Sequence, residues 1–225
     1  LPYAEREVAL QNGRIEIGWI CGLLYVLLNQ KQPHTLDLLA APVLDYNRYA
    51  NSPVYFSDLI VRTDSPFQSF IALRGARLAY NEATSFSGYR ILLAHLADQG
   101  ETAAFFPQPL QTGAHSHSIT AVLQGHADVA AIDSTAYDEL PHTLKSQLRI
   151  LMTLGPNPVP PFVISSKVAP TLRQKITDTL LNLPACPHGQ TLLRQSHLRR
   201  FAPVTDADYD QIRHVNQQAL TLLAG

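Results

Sequence analysis

Gly113-Ala-His115-Ser116-His117-Ser118-Ile119-Thr-Ala-Val-Leu-Gln124-Gly125-His-Ala-Asp128-Val-Ala-Ala-Ile-Asp133 is the stretch that decides the fold. Its middle reads as a helix over His117–Gln124 that Gly125 stops, because glycine takes up the left-handed turn with which many helices end. Asp128–Ile132 is then apolar on consecutive residues, as in a strand covered on both faces. Asp133 follows at the strand's carboxyl end, where ligands sit in open α/β sheets. The same alternation extends outward in both directions. Strands are expected over Ile15–Ile20, Leu36–Val43, Val54–Arg62, Arg77–Tyr80, Phe105–Gln111, Leu148–Thr153 and Phe162–Ser165. Helices are expected over Ser87–Asp98, Ser134–Ser146, Pro170–Leu183, Gly189–Gln195 and Asp206–Leu223. Strands alternating with amphipathic helices define an α/β architecture.

Composition removes several classes of function. The 225 residues are 46% hydrophobic and 16% charged, with 17 basic against 18 acidic side chains, a size and mix able to bury a core. No basic run exceeds Arg199-Arg200, so the electrostatic footprint of a nucleic-acid binder is missing. The longest apolar stretch, Ile17 to Leu28, is broken by Gly22 and too short to span a bilayer. The chain opens Leu1-Pro2-Tyr3 without initiator Met or a charged-then-apolar leader, so any export signal has been removed or was never there. Cys21 and Cys186 lack CxxC spacing, which disfavours a zinc ribbon or a thioredoxin-type site. Two buried free thiols are expected in preference to a disulfide.

Two proline-rich passages divide the chain. One runs from Asn51-Ser-Pro53 to Asp64-Ser-Pro66 around a strand; the other is Gly155-Pro-Asn-Pro-Val-Pro-Pro161. The segment of about 90 residues between them has its own strands and helices, enough for a small lobe. The expected division is a first lobe over 1–64, a second over 65–155, and a return to the first over 156–225. A single doubly wound domain with two proline-rich loops is the alternative.

Chemistry concentrates at strand-to-helix turns. Asn81-Glu-Ala-Thr-Ser85-Phe86-Ser87-Gly88-Tyr89-Arg90 puts small hydroxyl residues and a glycine at a helix start, where free amides and the positive helix end favour an anion. Ordinary N-capping by serine explains the same residues, and from this motif alone it is the stronger reading. His115 at its turn can donate a ring N–H to an oxyanion. A metal on His115 and His117 lacks a third ligand, and no HExxH is present. Asp133 either accepts from a proton-bearing anion or caps the next helix. In Gln11-Asn-Gly-Arg-Ile-Glu-Ile-Gly-Trp19 and the following Gly22-Leu-Leu-Tyr25, Tyr25 is either a core-edge aromatic or a ligand contact. Ser85, His115 and Asp133 could make a hydrolytic triad by composition, but the GxSxG elbow is absent, and so are the nucleotide loops GxxxxGKS/T and GxGxxG.

Taken together and in order, these blocks resemble the phosphate/phosphite/phosphonate-binding proteins of ABC importers, a branch of the type II periplasmic binding proteins. The Gly13 to Tyr25 stretch is similar to the family's "GxxDxxxxGxxxY" passage. Thr84-Ser-Phe-Ser-Gly88-Tyr89 resembles its "xSTSGY" anion loop. Gly113 to Asp133 resembles "GxHxxSxxAVxxGxxDxAAxD", and Leu148-Arg-Ile-Leu with Pro158-x-Pro160-Pro161-Phe resembles the return crossing. The resemblance covers nearly the whole chain.

It implies a two-lobed α/β Venus-flytrap fold, no catalysis, no cofactor and no metal. The small oxyanion would lie in the interlobe cleft, held by Tyr25, Ser85, the Phe86 backbone amide, Ser87, His115 and Asp133. It further implies an ABC permease as partner, a monomer without nucleic acid, and a periplasmic or extracellular, lipid-anchored location. A sensor domain of the same fold in a signalling protein, or less so a small hydrolase, is the alternative. Three departures stand out. Phe86 occupies a family Thr position, exchanging a hydroxyl donor for an apolar wall. Leu154-Gly155 occupies the place of an acidic residue that serves amine-bearing phosphonates. The family's opening strand–helix–strand has no counterpart before Leu1, and a first lobe lacking it would expose an apolar sheet edge.

Overall fold

Residues 3–224 are described by the structure, a computed structural model. They begin with α1 (Tyr3–Gln11), β1 (Ile17–Trp19), α2 (Gly22–Lys31), β2 (Leu36–Leu44), β3 (Val54–Arg62) and β4 (Leu78–Tyr80). A π-helical turn (Phe86–Arg90) runs into α3 (Ile91–Asp98), followed by β5 (Leu110–Gln111), α4 (His115–Leu123), β6 (Val129–Asp133), α5 (Ser134–Asp138) and α6 (His142–Lys145). The chain closes with β7 (Leu148–Pro158), β8 (Phe162–Ser165), α7 (Pro170–Leu181), α8 (Pro187–Gln195), β9 (Leu198–Ala202) and α9 (Asp210–Ala224).

These elements form two compact units, one running to Val54 and resuming over Asn157–Arg213, the other comprising Tyr55–Pro156 and the residues from His214 on. The first break falls at the start of β3, whereas the sequence reading put it after β3. The reason is pairing: β3 lies antiparallel to β6 from Ser57↔Asp133 to Val61↔Val129 and so belongs to the second sheet. The end of α9 also groups with the second unit, a third break that the expected division lacked.

The first unit holds a four-stranded sheet in the order β1-β8-β2-β9, its neighbours antiparallel. Ala40, Phe201 and Leu193 bury one face, packed with Phe162 and with Leu180, Leu181 and Leu183 of the α7–α8 region. Helix α2 buries Leu23, Leu24, Val26 and Leu28. Its Gly22 lies so close to α9 that an added Cβ would stand 2.5 Å from Ile212 Cδ1. Strand β1 pairs only with β8 among the described residues, and its Ile17 and Trp19 are 45% and 52% exposed. That is an apolar sheet edge.

The second unit holds a five-stranded sheet in the order β5-β4-β6-β3-β7, with β4 parallel to both β5 and β6. Ile60, Ala79, Ile119, Val122, Ala130, Ile132 and Leu148 form its core between the sheet and α4.

Several expected elements change for identifiable reasons. The strand foreseen over Phe105–Gln111 shrinks to β5, since Pro107 and Pro109 have no amide to pair. The helix foreseen over Ser134–Ser146 breaks into α5 and α6 at Leu140-Pro141, because Pro141 cannot donate and restricts the residue before it. Helices α1 and α2 and strand β9 were not foreseen. The cysteines are free as expected but not buried: Cys21 is half-buried and Cys186 exposed, its sulfur receiving the Gly189 amide at 3.2 Å at the start of α8.

Candidate functional site

The second unit gathers three of the quoted stretches around the ends of β4 and β6. After β4, Ser85 is the N-cap of the π turn, and its Oγ accepts the Gly88 amide at 3.1 Å. The Arg90 amide reaches back to Ser85 O at 3.0 Å, the five-residue step of a π turn. Such a turn leaves one more amide at its start without a helical acceptor than an α turn does. Among the described residues the amides of Phe86 and Ser87 and the Ser87 hydroxyl have no protein partner. The turn is held from below: Ser57 Oγ on β3 donates to Ser87 O at 2.5 Å, and Tyr80 stacks on Tyr89 with centroids 4.3 Å apart. Phe86 is 0% exposed. Its ring is core, not the apolar wall the sequence suggested, and only its backbone is available to a ligand.

Helix α4 begins at His115 itself, two residues before the expected start. The Asp133 amide donates to His115 Nδ1 at 3.4 Å, while Nε2 lies 3.4 Å from Asn81 Nδ2. Burial pushes the imidazole down to about 4 against the opposing charge of Glu82, so the ring is neutral at pH 7. His117 does not join it: its Nδ1 lies 3.1 Å from Thr112 O. Among the described residues no three His, Cys, Asp or Glu side chains are grouped to hold a metal.

Asp133 closes β6 and caps α5, its Oδ1 accepting the Thr135 amide at 2.8 Å and hydroxyl at 2.7 Å. Burial raises its pKa to about 6 against those two bonds, with Asp58 and Asp138 adding repulsion. The second carboxyl oxygen receives no bond among the described residues. A hydrolytic triad is not assembled. Ser85 Oγ is spent on Gly88, and His115 meets the backbone of Asp133 rather than its carboxylate.

Tyr25 belongs to the first unit. Its hydroxyl donates to Asp206 Oδ1 at 2.8 Å, an oxygen that Arg213 also holds at 2.6 Å. Burial, then the bond to Asp206, drives the phenol well above its ordinary range. A cavity of about 520 Å³ in the first unit is lined by Tyr25, Asn29, Asp37, Asp206 and Arg213 among others.

Two contributors escape a reading of the sequence. Asn81 stands between the π turn and His115, its carboxamide over Gly88 so tightly that a Cβ there would meet Asn81 Oδ1 at 1.8 Å. Ser57 was visible only as a hydroxyl residue beside Asp58 in a mostly apolar strand.

The family model described as "ABC transporter, phosphonate, periplasmic substrate-binding protein" matches residues 2–209. A binding protein component of an ABC phosphonate transporter from Pseudomonas aeruginosa superposes with a TM-score of 0.84 at 19% identity, covering 98% of this chain and 74% of that one. PhnD1 from Prochlorococcus marinus, solved with methylphosphonate, gives 0.83 at 15% identity over 97% and 83% of the two chains. The periplasmic aliphatic sulphonate binding protein SsuA from Escherichia coli gives 0.59 at 16% identity over 99% and 79%. At these identities the likeness speaks for the fold, the mixed α/β, two-sheet fold of type II periplasmic binding proteins.

Proposed function

Because this chain belongs to the phosphonate periplasmic substrate-binding proteins of ABC transporters, a family whose model spans residues 2–209, we propose that it captures a small phosphorus oxyanion, phosphonate, phosphite or phosphate. The family is one of transport rather than catalysis, it works with a permease, and its place is periplasmic or extracellular. In this reading the two units are the lobes, the protein acts as a monomer without nucleic acid, and a lipid anchor is one means of retaining it outside the cell. The observation that supports the oxyanion most is the π turn, with the uncommitted Phe86 and Ser87 amides and Ser87 hydroxyl at the start of a helix. Helix-start amides suit a tetrahedral anion because they donate without a buried countercharge, and an unpaired buried dianion is very costly.

Each residue has a definite part. Ser87 gives its amide and hydroxyl, Phe86 its amide, and Ser85 keeps the turn wound by capping Gly88. Neutral His115 carries one N–H for an anionic oxygen. Asp133 keeps one carboxyl oxygen for a P–OH proton, or donates when itself protonated. Tyr25 is the first-lobe contributor; with its own proton given to Asp206, it offers a ligand an acceptor oxygen and a ring edge.

The test is a thermal-shift and calorimetric series with phosphate, phosphite, methylphosphonate, aminoethylphosphonate and sulfate. A bound anion at a hundredfold excess over its Kd should stabilise the protein by about 2.7 kcal/mol. His115→Ala and Ser87→Ala should each weaken binding by about tenfold, the worth of one hydrogen bond to a charged group. If both variants bind like the parent, the site lies elsewhere. Aminoethylphosphonate should do no better than methylphosphonate, since Leu154 and Gly155 present no carboxylate to an amine. A clear preference for the amine overturns that point.

A further inference from the structure

The contact between His115 and Asn81 contains a contradiction that the chemistry of the two groups resolves. The Asp133 amide can donate only to an unprotonated Nδ1, so the one proton of the neutral ring sits on Nε2. Nε2–H then faces the Asn81 amide nitrogen at 3.4 Å, donor against donor. At the other end of the same carboxamide, Oδ1 is buried with no hydrogen-bond partner, in a residue only 8% exposed. A half-turn of the carboxamide keeps its shape and exchanges the two ends. Oδ1 then receives the Nε2 proton. Nδ2 moves to the side over Gly88, where Ser85 Oγ also lies, 2.9 Å from the point a Cβ would occupy.

We propose that Asn81 is the positioning residue of this site: in the ligand-free protein its carboxamide accepts the Nε2 proton of His115, keeping it on the nitrogen whose N–H an anionic oxygen then shares, and, seated on Gly88, it ties the ring to the amide-donating turn. The residue fixes both which nitrogen of His115 donates and where that proton stands relative to the Ser87 amide. Its importance to ligand binding rests on the oxyanion reading above; the tautomer it fixes does not. Gly88 is part of the same device, because any larger residue would push Asn81 from its seat. The backbone of Asn81 is anchored in turn, its carbonyl accepting the Gly113 amide at 2.8 Å, two residues before His115.

The first measurement is made without ligand, by nitrogen-15 NMR of the histidine rings of the whole chain. The parent should show His115 as the Nε2–H tautomer, and Asn81→Ala should shift it to a mixture of the two. Asn81→Asp keeps the shape and offers acceptors at both ends, so it should retain the Nε2 proton and raise the pH at which His115 titrates; it carries the test if Asn81→Ala fails to fold. The second measurement is methylphosphonate affinity. Asn81→Ala should weaken it about tenfold in the parent and have no further effect in the His115→Ala background, since the two then share one interaction. An unchanged tautomer in Asn81→Ala with unchanged titration in Asn81→Asp overturns the proposal, as does an equal loss of affinity in both backgrounds. If the parent binds no oxyanion while the NMR results hold, the positioning role stands and the oxyanion reading falls.

Discussion

At Asp133, burial is the largest influence and favours the neutral acid, the two Thr135 bonds favour the carboxylate, and the Asp58 and Asp138 charges add a smaller push, for a value of about 6. The folded value exceeds the starting 3.8, so the native state holds this proton more tightly than the unfolded chain. The resulting stability is complete below about pH 4 and lost as pH rises through about 6. His115 behaves oppositely: lowered from 6.5 to about 4, it contributes stability present above about pH 6.5 and lost as pH falls through about 4. The two largely offset in one window. Asp133→Asn keeps the cap and removes the charge. It should therefore gain up to about 3 kcal/mol over the parent above pH 6, converge with it near pH 4, and expose the His115 slope between. Urea midpoints measured against pH read this directly, and parallel profiles for parent and variant sink it. The turn positions of Asp133 and His115 were legible in the sequence because each is set by its immediate neighbours. Asn81 and Ser57 were not: their roles depend on partners 34 and 30 residues away, which no local pattern encodes. Phe86 was misread for the same reason, since only the packed sheet decides that its ring is core.

Among the elements, those with a clean period and firm stops were foreseen, β3 and β8 to the residue. Helix α2 hid because its Leu-Leu-Tyr-Val-Leu-Leu run is apolar on nearly every side, leaving no stripe to read. Strand β9 hid behind the charges of Arg199 and Arg200, which suggest a solvated face. The π turn is equally invisible in a sequence, as it differs from an α turn by one hydrogen-bond step rather than by composition. Close approach is the property at this scale that a substitution can test. Gly189 in α8 lies against the Leu183 backbone, where an added Cβ would meet the carbonyl oxygen at 2.1 Å and its carbon at 2.8 Å. A main-chain obstacle cannot swing aside as a side chain can. Gly189→Ala should cost about 1–3 kcal/mol, the usual price of overpacking, and lower the denaturation midpoint while leaving oxyanion affinity untouched. A variant as stable as the parent would show that the α8 start shifts freely.

For the molecule as a whole, the main surface consequence comes from β1. The Ile17 and Trp19 backbones face away from β8, since the bonds to β8 fall at Glu16 and Ile20 on either side, Ser165 amide to Glu16 O at 2.7 Å and Ile20 amide to Pro161 O at 3.2 Å. An apolar strand with one row of unpaired backbone groups is a template for adding another strand. Trp19→Lys should therefore reduce concentration-dependent self-association in light scattering, and a parent that stays monodisperse at every concentration removes the concern. Trp19 is also the chain's one tryptophan, stacked on Phe162 at 5.9 Å and bonded through Nε1 to Pro160 O at 2.8 Å. The intrinsic ultraviolet emission of the native protein thus arises at that half-wet margin, starting red-shifted and open to iodide quenching. Whatever comes to cover β1 will announce itself as a blue shift, with no label attached.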